Sequence, residues 1–177
     1  MSCEAMQNLT PIIVGGLIGI VGSIVGIVGS FATSAYLELA KQKAERKNLT
    51  GAIVGEISAL IEISERRGYI EHLRRVIAEA KAQPNPDIGY RFYFSSRRNS
   101  FSVYDANLGR LGVMPDPLPR LIVQFYTQTA SILEDIADMR ESTAVRNRDQ
   151  SIQMLEALLK LFEDTRSLGK EIISKAG

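Results

Sequence analysis

Residues Tyr90 to Tyr104, YRFYFSSRRNSFSVY, carry half of the aromatic side chains in the chain, with Arg91, Arg97 and Arg98 interleaved among them. Guanidinium groups beside aromatic faces suit a nucleotide, a single-stranded nucleic acid or anionic lipid headgroups, because the cation pairs with phosphate while the ring stacks or sits at an interface. Membrane-surface contact fits best, since the chain also reads as tethered to a bilayer. That is the best of the binding roles, but a plainer role is favoured over all of them: Phe92, Phe94 and Tyr104 would pack beneath a helical bundle, the segment forming a short hairpin.

The other chemically capable residues lack partners. His72 is the single histidine and Cys3 the single cysteine. A metal site or a Cys/His nucleophile pair therefore has nothing to assemble from, and no intrachain disulfide is possible. Glu62 and Glu65, and Glu134, Asp135 and Asp138, stand among helical charges and read as solvated faces. No Gly-x-Ser-x-Gly is present, and the glycine-dense N-terminal stretch lacks both the dinucleotide fingerprint and a Gly-Lys-Ser/Thr ending. Acidic and basic residues are balanced, without the basic footprint of a nucleic-acid binder. The expectation is a protein that is not an enzyme, with no cofactor, no metal, no small-molecule substrate and no specific nucleic acid.

What must position everything else is the N-terminal stretch. Between Glu4 and Glu38 there is no charged residue. From Ile12 to Ala35, about 24 residues at roughly 1.5 Å rise give roughly 36 Å of helix. That covers a hydrocarbon core of about 30 Å with room for tilt. A helix satisfies its own backbone hydrogen bonds, as lipid requires, and Tyr36 stands where an interfacial aromatic belongs. A cleaved signal peptide is the main competitor, but no Lys or Arg precedes Lys41 and the apolar run is too long.

Glycine spacing within this run is informative. Gly15, Gly19, Gly22, Gly26, Gly29 and Thr33 step by four, three, four, three and four, which places small residues along one helix face. Two backbones can approach closely along such a seam. The expected partners are the lipid bilayer and either a second copy of the chain, as a homo-oligomer, or another membrane protein.

Flanking charge orients the segment. Lys41, Lys43, Arg46 and Lys47 follow it, and the positive-inside rule puts the C-terminal side in the cytoplasm. The expected layout is an extracytoplasmic tail at 1–10, a transmembrane helix at 11–36 of the inner membrane, a juxtamembrane helical region at 37–83, an irregular aromatic and basic segment with a short helix at 84–115, and a helical hairpin at 116–177.

The soluble part reads as all-α, a three- or four-helix bundle. Leu49, Ile53, Ile57, Leu60 and Ser64 mark one face. After a break at Gly68, Ile70, Leu73, Val76, Ile77 and Ala80 mark another, and the Gln83-Pro84-Asn85-Pro86 run ends the helix. Asp116-Pro117 is a helix start. Leu118, Ile122, Phe125, Thr129, Ile132 and Ile136 follow at helical spacing. A break near Glu141–Asp149 precedes a last helix carrying Ile152, Leu155, Leu158, Leu159, Phe162, Leu168 and Ile172. A short connection between two amphipathic helices predicts an antiparallel pair.

The run Val103-Tyr104-Asp105-Ala106-Asn107-Leu108-Gly109-Arg110-Leu111-Gly112, with Leu118, Ile122, Phe125 and Tyr126 beyond it, resembles a pattern in small single-pass membrane proteins of bacteria and prophages that have a helical cytoplasmic region. The likeness implies location and fold only. On physical grounds Tyr104 and Leu108 would face a core, Asn107 would hydrogen-bond a turn, and Gly112 and Pro115 would end the short helix. Two function classes follow: a membrane-tethered interaction or scaffold protein, and a membrane-active effector of the phage-defence, exclusion or lysis kind.

The seam makes the first testable prediction. Replacing Gly22 and Gly26 by Ile should weaken association of the membrane segment in an in-membrane reporter, whereas Ile20→Leu with Ile27→Leu, off the seam, should leave it unchanged. Equal signals from both variants would leave the glycines without a role in association.

Overall fold

A computed structural model describes residues 4–84, 101–141 and 147–176; side chains in the first helix are described at residue 30 and from 33 on, and in the fourth helix as far as 139. The described residues are helical throughout, with no strand among them. The all-α expectation therefore holds. The order is α1 (Glu4–Arg66), α2 (Tyr69–Ala82), α3 (Ser102–Asn107), a 3₁₀ turn (Leu108–Val113), α4 (Leu118–Glu141) and α5 (Arg148–Ala176). Two compact units divide the chain, residues 1–46 and residues 47–177. The first unit is α1 alone as far as Arg46. Among the described residues no helix is long and apolar enough to cross a membrane. Nearly all side chains of the expected span, 11–36, lie outside the described residues, as do the surroundings of Gly15, Gly19, Gly22, Gly26 and Gly29.

The second unit is built on the α4–α5 pair. The start of α4 (Leu118, Leu121, Ile122, Phe125, Tyr126) packs with the end of α5 (Leu168, Ile172). The end of α4 (Ile132, Ile136, Met139) packs with the start of α5 (Leu155, Leu158). The two helices are therefore antiparallel, as expected. A third helical layer covers them in two pieces. Leu49, Ile53, Ile57 and Ile61 of α1 bury against the first cluster, and Leu73 and Ile77 of α2 against the second. Each fully buried Ile or Leu contributes about 1.5–3 kcal/mol of transfer free energy.

The apolar face of α1 is thus the unbroken i+4 row from Leu49 to Ile61. Leu60 and Ser64, expected on it, are only half-buried at its margin. Gly68 makes the expected break, at φ +62°, where its N–H bonds Glu65 O at 3.0 Å and its carbonyl accepts from His72 N–H at 2.9 Å. Glycine meets this left-handed conformation without the Cβ clash other residues suffer. At the far end of α2, Gln83 turns extended, and Arg148 Nη1 donates to its carbonyl oxygen at 2.7 Å.

Local chemistry sets the other ends. Pro117 stands just before the first helical residue of α4 rather than within its first turn; its carbonyl accepts from Leu121 N–H at 3.2 Å. Residues 142–146 of the expected break are not described. Just beyond them Asn147 caps α5: its Oδ1 accepts from Gln150 N–H at 2.9 Å, and Gln150 Oε1 faces the Asn147 N–H at 3.4 Å. This reciprocal pair is a capping box, and the capping group alone is worth about 1 kcal/mol.

Gly169 marks the tightest helix approach. A Cβ there would lie 2.6 Å from Ile61 Cδ1, 2.8 Å from Phe125 Cε2 and 3.3 Å from Ile57 Cγ2. Gly51 and Gly55 on α1, by contrast, are exposed with open space around them. Gly169→Val should therefore destabilise the bundle by about 1–3 kcal/mol through overpacking. Gly51→Ala should stabilise it by up to about 1 kcal/mol through helix propensity. Denaturant unfolding checks both signs, and a neutral Gly169→Val would mean that α1, α4 and α5 do not meet there.

Candidate functional site

Among the described side chains the most elaborate polar constellation is centred on Glu56. It sits on the core-facing side of α1 between Ile53 and Ile57. Its carboxylate accepts three hydrogen bonds: from Val103 N–H at 2.9 Å, from Tyr104 N–H at 3.0 Å, and from the Tyr126 hydroxyl at 2.6 Å. The two amides belong to the first turn of α3, whose N–H groups have no intrahelical acceptor. Glu56 thus fastens α3 and α4 to α1 through one anion.

Aromatic rings cluster on Tyr126, whose hydroxyl donates to this carboxylate. Tyr104 and Tyr126 stack with centroids 3.9 Å apart and planes 14° from parallel. Phe101 and Phe125 each meet Tyr126 edge to face, at 5.2 and 5.4 Å. Burial pushes the Tyr126 phenol well above its ordinary range, and the Glu56 carboxylate beside it adds to the shift. Tyr104 is raised by burial and then by Asp105. A phenol whose ionisation is opposed in this way stays the hydrogen-bond donor to the Glu56 carboxylate and clamps α4 to α1. Asn107 makes the expected turn bond, donating from Nδ2 to Val103 O at 2.8 Å, and its Oδ1 accepts from Arg110 at 3.2 Å.

Several expectations need correction here. Leu108 does not face a core; it is 53% exposed. The α-helix gives way at that residue to a 3₁₀ turn, which changes the facing positions, and Leu111 and Met114 go inward instead. Gly112 lies inside that turn, which ends at Val113. Of the segment expected to be a hairpin, Ser102–Tyr104 is helical and 90–100 lies outside the described residues; so do Arg91, Arg97 and Arg98, and Phe92 and Phe94.

The remaining chemically capable groups are dispersed. His72 is exposed on α2, and Glu134, Asp135 and Asp138 are exposed on α4. Among the described residues no three His, Cys, Asp or Glu side chains converge to hold a metal ion. A shallow cleft of about 230 Å³ at the α1–α2 junction is lined by Ser64, Glu65, Ile70, Glu71 and Arg166. Glu65 there accepts from Lys170 Nζ at 2.7 Å, which holds its carboxyl below the usual range, with Arg166 helping. No buried polar side-chain atom among the described residues lacks a hydrogen-bond partner.

Glu56 escaped the sequence reading although a signal was present: an acid at the third residue after Ile53, within an otherwise apolar stripe. Such an acid is either a mistake in the assigned face or an anion with donors waiting.

No protein-family model, curated protein or solved structure matches this chain.

The clamp predicts a ranked mutational series. Tyr126→Phe, which removes one donor, should cost about 1–2 kcal/mol, and Glu56→Ala, which leaves a buried hydroxyl and two amides unpaired, about 2–4 kcal/mol. The Tyr126 shift also has a pH consequence. A pKa raised on folding gives stability that is complete below the ordinary tyrosine value, about 10, and that falls as pH rises above it. The wild type should lose stability above about pH 10 more steeply than Tyr126→Phe does. Parallel alkaline slopes would detach Tyr126 from the clamp.

Proposed function

We propose that this protein is a membrane-anchored helical scaffold. A single span at residues 11–36 fixes it in the inner membrane, and the bundle formed by 47–177 engages a partner in the cytoplasm. The observation that carries the reading is the charge-free run from residue 5 to 37, long enough for one crossing as a helix. The cluster Lys41, Lys43, Arg46 and Lys47 on its C-terminal side supports the orientation. The Gly15–Gly29 seam supports self-association or pairing with another membrane protein. Arg91, Arg97 and Arg98 are offered as further contacts to an anionic surface. The likeness of the Val103–Gly112 run to single-pass prophage proteins points to the same layout.

Binding rather than catalysis is favoured by the way the polar groups are used. The carboxylate with the best surroundings, Glu56, already accepts from Val103, Tyr104 and Tyr126.

Alkaline carbonate should leave the full chain in the membrane fraction, and a C-terminal reporter that works only in the cytoplasm should be active. Release by carbonate would refute the anchor, and an active periplasmic reporter would reverse the orientation. Growth arrest on overexpression that Gly22→Ile with Gly26→Ile abolishes, with insertion retained, would replace the scaffold by a membrane-active effector.

A further inference from the structure

We propose that α1 between Tyr36 and Arg46 is a binding surface for anionic phospholipid headgroups. The proposal rests on the anchored reading above and names the lipid class that this anchor selects. Tyr36, Leu37 and Leu39, three large side chains within four residues of one helix, are 72%, 61% and 66% exposed. Lys41, Lys43 and Arg46, just beyond them, are also exposed.

Two of the cations of this helix share a face with its apolar side chains. Tyr36, Leu39, Lys43 and Arg46 step by three, four and three, so they share one side. Glu38 and Glu45, seven residues apart, lie on the opposite side, and Glu38 Oε1 faces Gln42 Nε2 at 3.4 Å. Lys41, three residues from Glu38 and four from Glu45, shares the acids' side, so the cations that face away from the acids are Lys43 and Arg46. Along their side the order is aromatic, aliphatic, basic. That matches the order met in leaving a bilayer: ring and aliphatic side chain at the acyl boundary, ammonium and guanidinium at the phosphates.

Reach agrees with this order. Lys43 and Arg46 follow Tyr36 by roughly 10 and 15 Å along the axis at 1.5 Å per residue. Helical side chains lean toward the N-terminus, which here is toward the charge-free run, and long basic side chains snorkel back the same way. The cations then lie within about one Debye length, about 8–10 Å, of the headgroup layer. A zwitterionic headgroup offers them no net charge. An anionic one does, and basic residues held this close strengthen the attraction additively.

The test uses the full chain reconstituted in phosphatidylcholine vesicles containing phosphatidylglycerol. Spin-labelled versions of the two lipids report which one is held at the protein surface. At low salt the anionic label should be enriched about threefold or more over the zwitterionic one, and the preference should fall toward parity at high salt. The triple variant Lys41→Gln, Lys43→Gln, Arg46→Gln should also approach parity, because it removes exposed cations without touching the bundle core. Glu38→Gln should leave the preference unchanged or raise it. Parity for the wild type at low salt overturns the proposal, and so does a loss in Glu38→Gln as large as in the triple variant. These outcomes are separate from failure of the anchor, in which carbonate would strip the wild-type chain from the same vesicles.

Discussion

The α4–α5 hairpin is longer than α2 and longer than the stretch of α1 that packs on it, Leu49 to Ile61, and the second unit is organised by how that mismatch is met. α4 has 24 residues and α5 has 29, whereas α2 has 14. Continuing α1 as a straight helix would carry its apolar row away from the hairpin core, because an i+4 row drifts around a 3.6-residue helix. Reversing the backbone hand at Gly68 for one residue lets a second helix start on a fresh face. α1 then serves the cluster around Phe125 and Ile172, and α2 the cluster around Ile136 and Leu158. A Cβ at φ +62° would oppose this by about 1 kcal/mol or more, so the left-handed turn belongs to glycine.

The polar groups follow from the same division. Where α1 meets the hairpin, Glu56 collects the amides of α3 and the phenol of Tyr126, so the aromatic and 3₁₀ segment is held by hydrogen bonds to charge as well as by burial. Where α2 meets α5, the contacts at the rim are ion pairs: Arg74 with Glu163 and Lys81 with Glu156, all with substantial exposure. Exposed pairs are worth about 0–1 kcal/mol each, so α2 depends on Leu73, Ile77 and Ala80 for its attachment. The bonds to Glu56 are no shorter, at 2.6 to 3.0 Å, but they are better shielded from water. Both ends of the bundle carry exposed ion pairs, Glu65 with Lys170 at the α1 end, and the α1 end has the part-buried Glu56 clamp besides.

Helix positions and most core residues were legible in the sequence because burial in this bundle is dominated by aliphatic side chains at three- and four-residue spacing. Leu49, Ile53, Ile57, Leu73, Ile77, Ile122, Phe125, Leu155, Leu158 and Ile172 could all be named from pattern. Three of the exceptions are not apolar side chains at all. Ser151, Thr165 and Gly169 are buried although none is a large apolar residue. Ser151 and Thr165 bond carbonyls four residues back in their own helix, at 3.0 and 2.7 Å, and so enter a core without an unpaired hydroxyl. Gly169 is inside because Ile61 and Phe125 need its missing side chain. Hydrophobic periodicity detects neither circumstance, since it registers only apolar side chains.

Glu56 was illegible for a related reason. Its partners are 47, 48 and 70 residues away in sequence, and no local rule links an acid on one helix to the first turn of another. Leu108 was misplaced because the switch from α to 3₁₀ geometry changes the angular step per residue from about 100° to about 120°, so a face extrapolated from Tyr104 misses its target within one turn. Both errors arise where the chain leaves regular α-helix or bonds across helices. Along α1 between residues 36 and 46 neither complication enters. The helix is regular, its side chains other than the half-buried Glu45 are exposed, and the face shared by Tyr36, Leu39, Lys43 and Arg46 follows from spacing alone. Its polarity is set by one element and by whatever solvent that element meets, and so a lipid surface can be argued there from residue types, whereas the bundle needed all of its helices in place before Glu56 acquired a meaning.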